Sequence, residues 1–118
     1  TMPANLTTLH LQSLAGLTTP AGSFDNQTKN NDFTYQNGLS QAQVDQALAD
    51  LYVAFATRTA SGGPINVAGD NAAPSGVYQA QCPPGTGLEY VYELVNDSCA
   101  VNPTKKWATI TYTGGSAP

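Results

Sequence analysis

Between Ser40 and Arg58 the chain reads SQAQVDQALADLYVAFATR. Val44, Ala47, Leu48, Leu51, Tyr52 and Phe55 recur three or four residues apart, the spacing of one α-helical stripe, and Asp45, Gln46 and Asp50 are expected to face away from it. A helix with a single apolar stripe must be roofed onto a complementary apolar surface, and this limits the folds open to the chain. The start of the helix is specified more than once. Ser40 can accept from the backbone N–H of Gln43, Gln43 can reach back to Ser40, and Leu39 can staple onto Val44. Such a cap is worth about 1–2 kcal/mol. At the far end Arg58 places a cation where a helix C-terminus favours one, and Thr59 to Pro64, with two glycines and a proline, stops propagation.

The surface to be covered has to come from short β-type runs. Leu6, Leu9, Leu11, Leu14 and Leu17 crowd the N-terminal segment, and the L-x-x-L-x-L at 6–11 matches the opening of a leucine-rich repeat, whose alternate leucines point into a shared core. Leu14 stands where that repeat wants an asparagine to satisfy turn backbone groups. Residues 18–32, TTPAGSFDNQTKNND, read as a polar, turn-rich loop with Phe24 as its anchor. Phe33-Thr34-Tyr35 alternates as a strand, Gln36-Asn37-Gly38 turns the chain into the helix, and after Gly62-Gly63-Pro64 the run Ile65-Asn66-Val67 supplies another strand. A strand, helix, strand order with short links is a right-handed crossover, so these two strands are expected to be parallel.

Gly69 to Gly76 is a second polar loop, and Pro83-Pro84 keeps the stretch after Tyr78 irregular. Thr86 and Glu89 then repeat the helix-start chemistry, with Leu88, Val91, Tyr92 and Val95 on one stripe, which predicts a second helix ending near Asp97. Trp107 to Thr113 alternates as a final strand, with Trp107, Thr109, Thr111 and Thr113 on one face and Ala108, Ile110 and Tyr112 on the other. Residues 114–118 read as a tail. The four strand centres at Leu9, Phe33, Ile65 and Ile110 are 24, 32 and 45 residues apart, so the spacing grows where a regular solenoid would hold it constant.

Charge narrows the partners. Only 10 % of the chain is charged, net charge is −4, and Lys29, Arg58, Lys105 and Lys106 are its only lysines and arginines. No basic stripe exists to neutralise phosphates, which argues against nucleic acid. No apolar run approaches the roughly 18 residues of a membrane span. The opening TMPANLTTLHLQSLAG lacks the basic n-region of a signal peptide and interrupts its leucines with polar residues. Solubility rests instead on Thr, Asn, Gln, Ser and Gly, a composition common on extracellular surfaces and in virion shells.

Chemistry-bearing groups are sparse. His10, the only histidine, has no second histidine or nearby cysteine in sequence to make a metal site and no adjacent nucleophile to serve. Asp25 and Asp32 among Asn26, Asn30 and Asn31 lack the spacing and glycine of a calcium loop. Ser61, Ser75 and Ser98 lie outside any nucleophile elbow, and Gly85-Thr86-Gly87 lacks the lysine of a phosphate loop. Glu89 and Glu93 sit one helical turn apart and read as a capping residue with a solvated neighbour. A hydrolase would need two carboxylates converging in a cleft, and no spacing here brings them together. Cysteine number leaves two readings open: Cys82 and Cys99 are buried thiols, or they form a disulfide tying the Pro83-Pro84 loop to the end of the second helix.

The segments LSQAQVDQALADLYVAF, INVAGDNAAPSG, LEYVYELVNDSC and KKWATITYT, over residues 39–113, resemble a leucine-rich-repeat-like segment that recurs in structural and tail-associated proteins of tailed bacteriophages and in some bacterial surface proteins. The resemblance implies a virion or cell-surface module presenting loops on a rigid stack, with no catalytic residues to carry over. The N-terminal leucines make at most one orthodox repeat, so the chain is similar to the capping end of such an array. Tyr78, Tyr90, Tyr92, Tyr112 and Trp107 all fall in the C-terminal half and, wherever they surface together, would form a binding patch for protein or sugar.

The expected architecture is therefore α/β: a short, irregular leucine-rich-repeat-like stack of parallel strands under two covering helices. It forms one domain over residues 1–118, with strands and a polar loop to residue 38, a helix-strand-helix-strand core over 39–113, and the tail. The expected role is a non-enzymatic virion structural protein, in capsid decoration or a tail fibre, with no cofactor or metal, contacting copies of itself and other virion proteins at a virion or extracellular surface. The alternative is a receptor-binding or adhesin module for a host surface glycan or protein.

Overall fold

A computed structural model describes residues 2–14 and 16–118. Five short strands and two helices follow one another as β1 (Leu9–Gln12), β2 (Phe33–Gln36), α1 (Gln41–Phe55), β3 (Pro64–Val67), α2 (Gly87–Asn96), β4 (Thr109–Tyr112) and β5 (Gly115–Ala117). They form a single sheet in the order β1-β2-β3-β4-β5. The first four strands are parallel; β5 turns back and pairs antiparallel with β4.

The register lines up the strand centres read from the sequence. Leu9 pairs with Phe33, Phe33 with Ile65, and Ile65 with Ile110. The growing spacing is absorbed by the connections: α1 between β2 and β3, then a long loop and α2 between β3 and β4. The same alternation sends Leu9, Leu11, Phe33, Tyr35, Ile65, Val67, Ile110 and Tyr112 to one face, where they join Val44, Ala47, Leu48, Leu51 and Phe55 of α1 and Val91, Leu94 and Val95 of α2. Both helices cover this face, and each fully buried Leu, Ile or Phe contributes about 1.5–3 kcal/mol.

Both helix starts follow from local chemistry. The Ser40 hydroxyl accepts from the Gln43 N–H, and Leu39 and Val44 are both buried in the core. Only this half of the box expected at α1 forms. At α2 the box is complete, with Thr86 accepting from the Glu89 N–H and the Glu89 carboxylate accepting from the Thr86 N–H. Asp97 ends α2 in the left-handed region at φ 50°.

Arg58 departs from its expected role. It lies beyond the last turn of α1 and is 3 % exposed, so it is no surface charge on a helix terminus. Its guanidinium donates to the carbonyl of Asn30 through Nε and Nη2, to Gly62 through Nη2 and to Lys105 through Nη1, and lies 3.8 Å above the Trp107 ring. One side chain thus ties three loops. The α1 terminus is served instead by Asn102, whose Nδ2 donates to the Phe55 and Arg58 carbonyls. Close approach fixes Gly63 nearby: φ is +83°, and a Cβ there would lie 1.8 Å from the Asn31 carbonyl oxygen.

Two strand assignments change. Residues 115–117 form β5 where a tail was expected, because Ala117 is buried over the core and Gly114, at φ +104°, reverses the chain. Trp107 precedes β4 and does not share the exposed face of Thr109 and Thr111. Its backbone N–H bonds the Leu94 carbonyl, and its ring turns inward beneath Arg58.

Candidate interaction surfaces

Alternation places polar residues on the second face of the sheet. His10, Thr34, Asn66, Thr111 and Ser116 occupy one row, each in register with the next. Gln12 and Gln36 pair beside it, and side chains wire them to it: Gln12 donates to Gln36 at 3.3 Å, and Gln36 donates to Asn66 at 2.7 Å. His10 bonds Asp32 at 2.8 Å at the β1 end. Among the described residues neither helix covers this face. Parallel strands normally have both faces buried; here the second side carries neutral donors and acceptors, exposed at His10, Gln12, Thr111 and Ser116, half-buried at Gln36 and Asn66, and buried at Thr34.

The carboxylates that sequence spacing turned outward are spent inside. Asp50, 3 % exposed, accepts from the N–H groups of Gly22 and Phe24 and fastens the 18–32 loop to α1. The Phe24 ring then packs edge-on against Phe33 and Tyr35 at 5.0 and 5.3 Å. Asp45 accepts from the backbone and hydroxyl of Ser75. Glu93 is fully buried, not solvated as expected; it accepts from the N–H groups of Gln81 and Cys99 and from the Ser98 hydroxyl. Asp97 accepts from the N–H groups of Val101 and Asn102. Glu89 also takes Gln79, and this bond, with those from the Gly85 and Thr86 N–H groups, holds its carboxyl below the ordinary carboxylate range. Helix spacing gives the direction of a side chain but not the loop that comes back to meet it.

Asn71, within the G-x-N-x-A-P-S stretch, does what an asparagine at position 14 was missing for. It donates to the Tyr35 and Val67 carbonyls and accepts from the Leu39 N–H, joining the ends of β2 and β3 to the start of α1. Leu14 itself donates its N–H to the side chain of Asn37.

Cys82 and Cys99 are joined in a disulfide with a Cα–Cα distance of 5.5 Å. Glu93 grips the backbone on both sides of it. Cys82, Glu93 and Cys99 are the grouping of metal-ligating atoms among the described residues, and both sulfurs there are committed to each other. The asparagine-rich loop does not converge on an ion site either: Asn30 is buried against Gln27, and Asp32 faces His10.

The five aromatic residues do not make one patch. Trp107 is buried, Tyr112 lies on the core face of β4, and Tyr90 packs with Tyr52 at 5.6 Å. Only Tyr78 and Tyr92 meet, with ring centroids 5.0 Å apart, and Asn96 donates to the Tyr78 hydroxyl beside exposed Val77. The residues are dispersed because helix α2 sends Tyr90 toward α1 and Tyr92 toward the Tyr78 loop. A separate shallow cleft of about 310 Å³ is lined by Ala42, Asp45, Gln46, Ala49, Gly85 and Tyr90. Among the described residues no helix is long and apolar enough to cross a membrane. No protein-family model, curated protein or solved structure matches the chain.

Proposed function

We propose that this chain is a non-enzymatic structural protein of a virion, in capsid decoration or in a tail or fibre, built as a short, irregular leucine-rich-repeat-like stack. It works through contacts with copies of itself and with other virion proteins. The observation that carries the reading is the polar second face of the parallel sheet, where Gln12, Gln36 and Asn66 are held by side-chain bonds across three strands. Two further features support it. Five of the eight acidic residues fasten loops and are not gathered in a cleft, and a disulfide suits an oxidising location such as a particle or cell exterior. Mass spectrometry and antibody labelling of purified particles test the proposal. The chain should be present at defined copy number; finding it only in particle-free fractions overturns the reading.

Exposed Tyr78, packed on half-buried Tyr92 beside Asn96 and Val77, favours a second reading, a module that grips a host surface glycan or protein. Binding to a glycan array or to host cells, lost in Tyr92→Ala, is its expected signature. Absence of binding by the unaltered chain removes it.

A further inference from the structure

We infer that Glu93 guards the Cys82–Cys99 disulfide against thiol reductants, so that a bond within reach of solvent stays closed where exposed disulfides are opened. Cys82 is exposed and Cys99 half-buried, so burial alone does not protect the pair. The surroundings of the sulfurs do. A carboxylate oxygen of fully buried Glu93 and the two Sγ atoms lie within 4.8 Å of one another. Cys99 Sγ is 3.3 Å from the Gln81 carbonyl oxygen, and Cys82 Sγ is 3.9 Å from the Ser98 hydroxyl oxygen, whose hydrogen is given to Glu93. All three neighbours turn an electron-rich oxygen toward sulfur. Among the described residues no lysine, arginine or histidine pairs with Glu93, and a second buried carboxylate, Asp97, follows one helical turn further on. Both stand at the C-terminal end of α2, the negative pole of its dipole, and its last turn holds no basic residue. Reactive cysteines occupy the opposite setting, beside a cation or at a helix N-terminus.

Opening the bond has to pass through thiolates. One thiolate of a dithiol reductant attacks the exposed Cys82 sulfur, the Sγ–Sγ bond breaks, and its electron pair leaves on Cys99. The reductant's second thiol then displaces the Cys82 sulfur and closes the reductant's own disulfide, and the two protons of the reductant end on the two cysteines. Each step brings an anionic sulfur toward Glu93, first the attacking one and then the leaving one. A disfavoured thiolate is a poor leaving group, so exchange is slow. The same carboxylate opposes reduction at equilibrium. It accepts from the N–H of Gln81, next to Cys82, and from the N–H of Cys99 itself. These charge-assisted bonds hold the two cysteine backbones 5.5 Å apart at Cα, the separation a disulfide needs, so freed thiols stay opposed and close again. The loop held in this way also carries Tyr78. This inference goes beyond the proposed function and does not rest on it.

Thiol–disulfide exchange on the full chain tests it. In Glu93→Gln the disulfide should open roughly tenfold or more faster with a dithiol, and its exchange constant should shift toward the reduced form by roughly tenfold or more, which is about 30 mV for two electrons. The charge of the reductant gives a readout that a purely structural clamp would not move, and it needs no variant to fold. On the unaltered folded chain a cationic aminothiol should outpace an anionic thiol carboxylate by about threefold or more beyond their ratio on the same chain unfolded in urea. Added salt should narrow that gap. A folded-chain ratio equal to the ratio in urea overturns the inference. So does a Glu93→Gln chain that is folded by circular dichroism and opens at the rate of the parent.

Discussion

Replacing Arg58 with methionine keeps the length and apolar stem of the side chain and removes the guanidinium. Three loop carbonyls, those of Asn30, Gly62 and Lys105, then lose their donor. A buried polar group left unpaired costs about 1–3 kcal/mol, and the lost contact with the Trp107 ring adds about 1–2. Against this, the cation no longer has to be desolvated, a cost visible in the native protein as a pKa lowered by burial to about 10. With three carbonyls left without this donor and the desolvation of the cation relieved, the expected net loss is about 3 kcal/mol. For a domain of this size that corresponds to a melting temperature lower by roughly 10–20 °C. Urea unfolding followed by Trp107 fluorescence measures it directly. Arg58→Lys keeps the charge but not the planar fork, and should recover less than half of the loss. A methionine variant within about 1 kcal/mol of the parent would show that the carbonyls are hydrated or repartnered, and that Arg58 is no hub.

Cys82 and Cys99 lie 17 positions apart, so opening their disulfide in a double serine variant should cost about 3 kcal/mol in urea; an unchanged midpoint refutes this. Gly63→Ala places a methyl in the Asn31 carbonyl and should destabilise by about 3 kcal/mol or more, whereas Gly62→Ala, at φ +66° with open space around it, should cost only about 1. Equal losses in the two variants would show that the close approach is not what Gly63 serves. The Glu89 pKa is lower in the folded chain than the ordinary 4.5, so its contribution is complete above that value and disappears as pH falls through the folded value. Acid should therefore loosen the first turn of α2 in the parent, with a smaller pH response in Glu89→Gln, when amide exchange of Glu89 and Tyr90 is followed; identical acid profiles would remove Glu89 as the cause.

Elements whose cause is local were legible in the sequence. Ser40, Thr86 and Glu89 act within a few residues of themselves, and the apolar periods of α1 and α2 report the face that is buried. Alternation likewise placed Leu9, Phe33, Ile65 and Ile110, which the sheet brings into one register. What escaped was set by residues far along the chain. Asp50 is buried because Gly22 and Phe24 return to it, Arg58 because Asn30 and Lys105 surround it, and Glu93 because the segments around Cys82 and Cys99 close over it. An ionisable residue on the polar side of a helix looks the same in sequence whether it meets water or a loop. The aromatic residues failed as a patch for a related reason, since their clustering in the second half of the chain says nothing about their directions.

The reversal at Gly114 also makes the two edges of the sheet unlike. A row of co-directional strands has two ends of the same sense, but here β1 runs with its neighbours at one end, while the other end finishes in the three-residue β5 of opposite sense. A strand laid parallel beside β5 would run against β1 to β4, so the direction those four strands share is not carried past Gly114 by parallel addition.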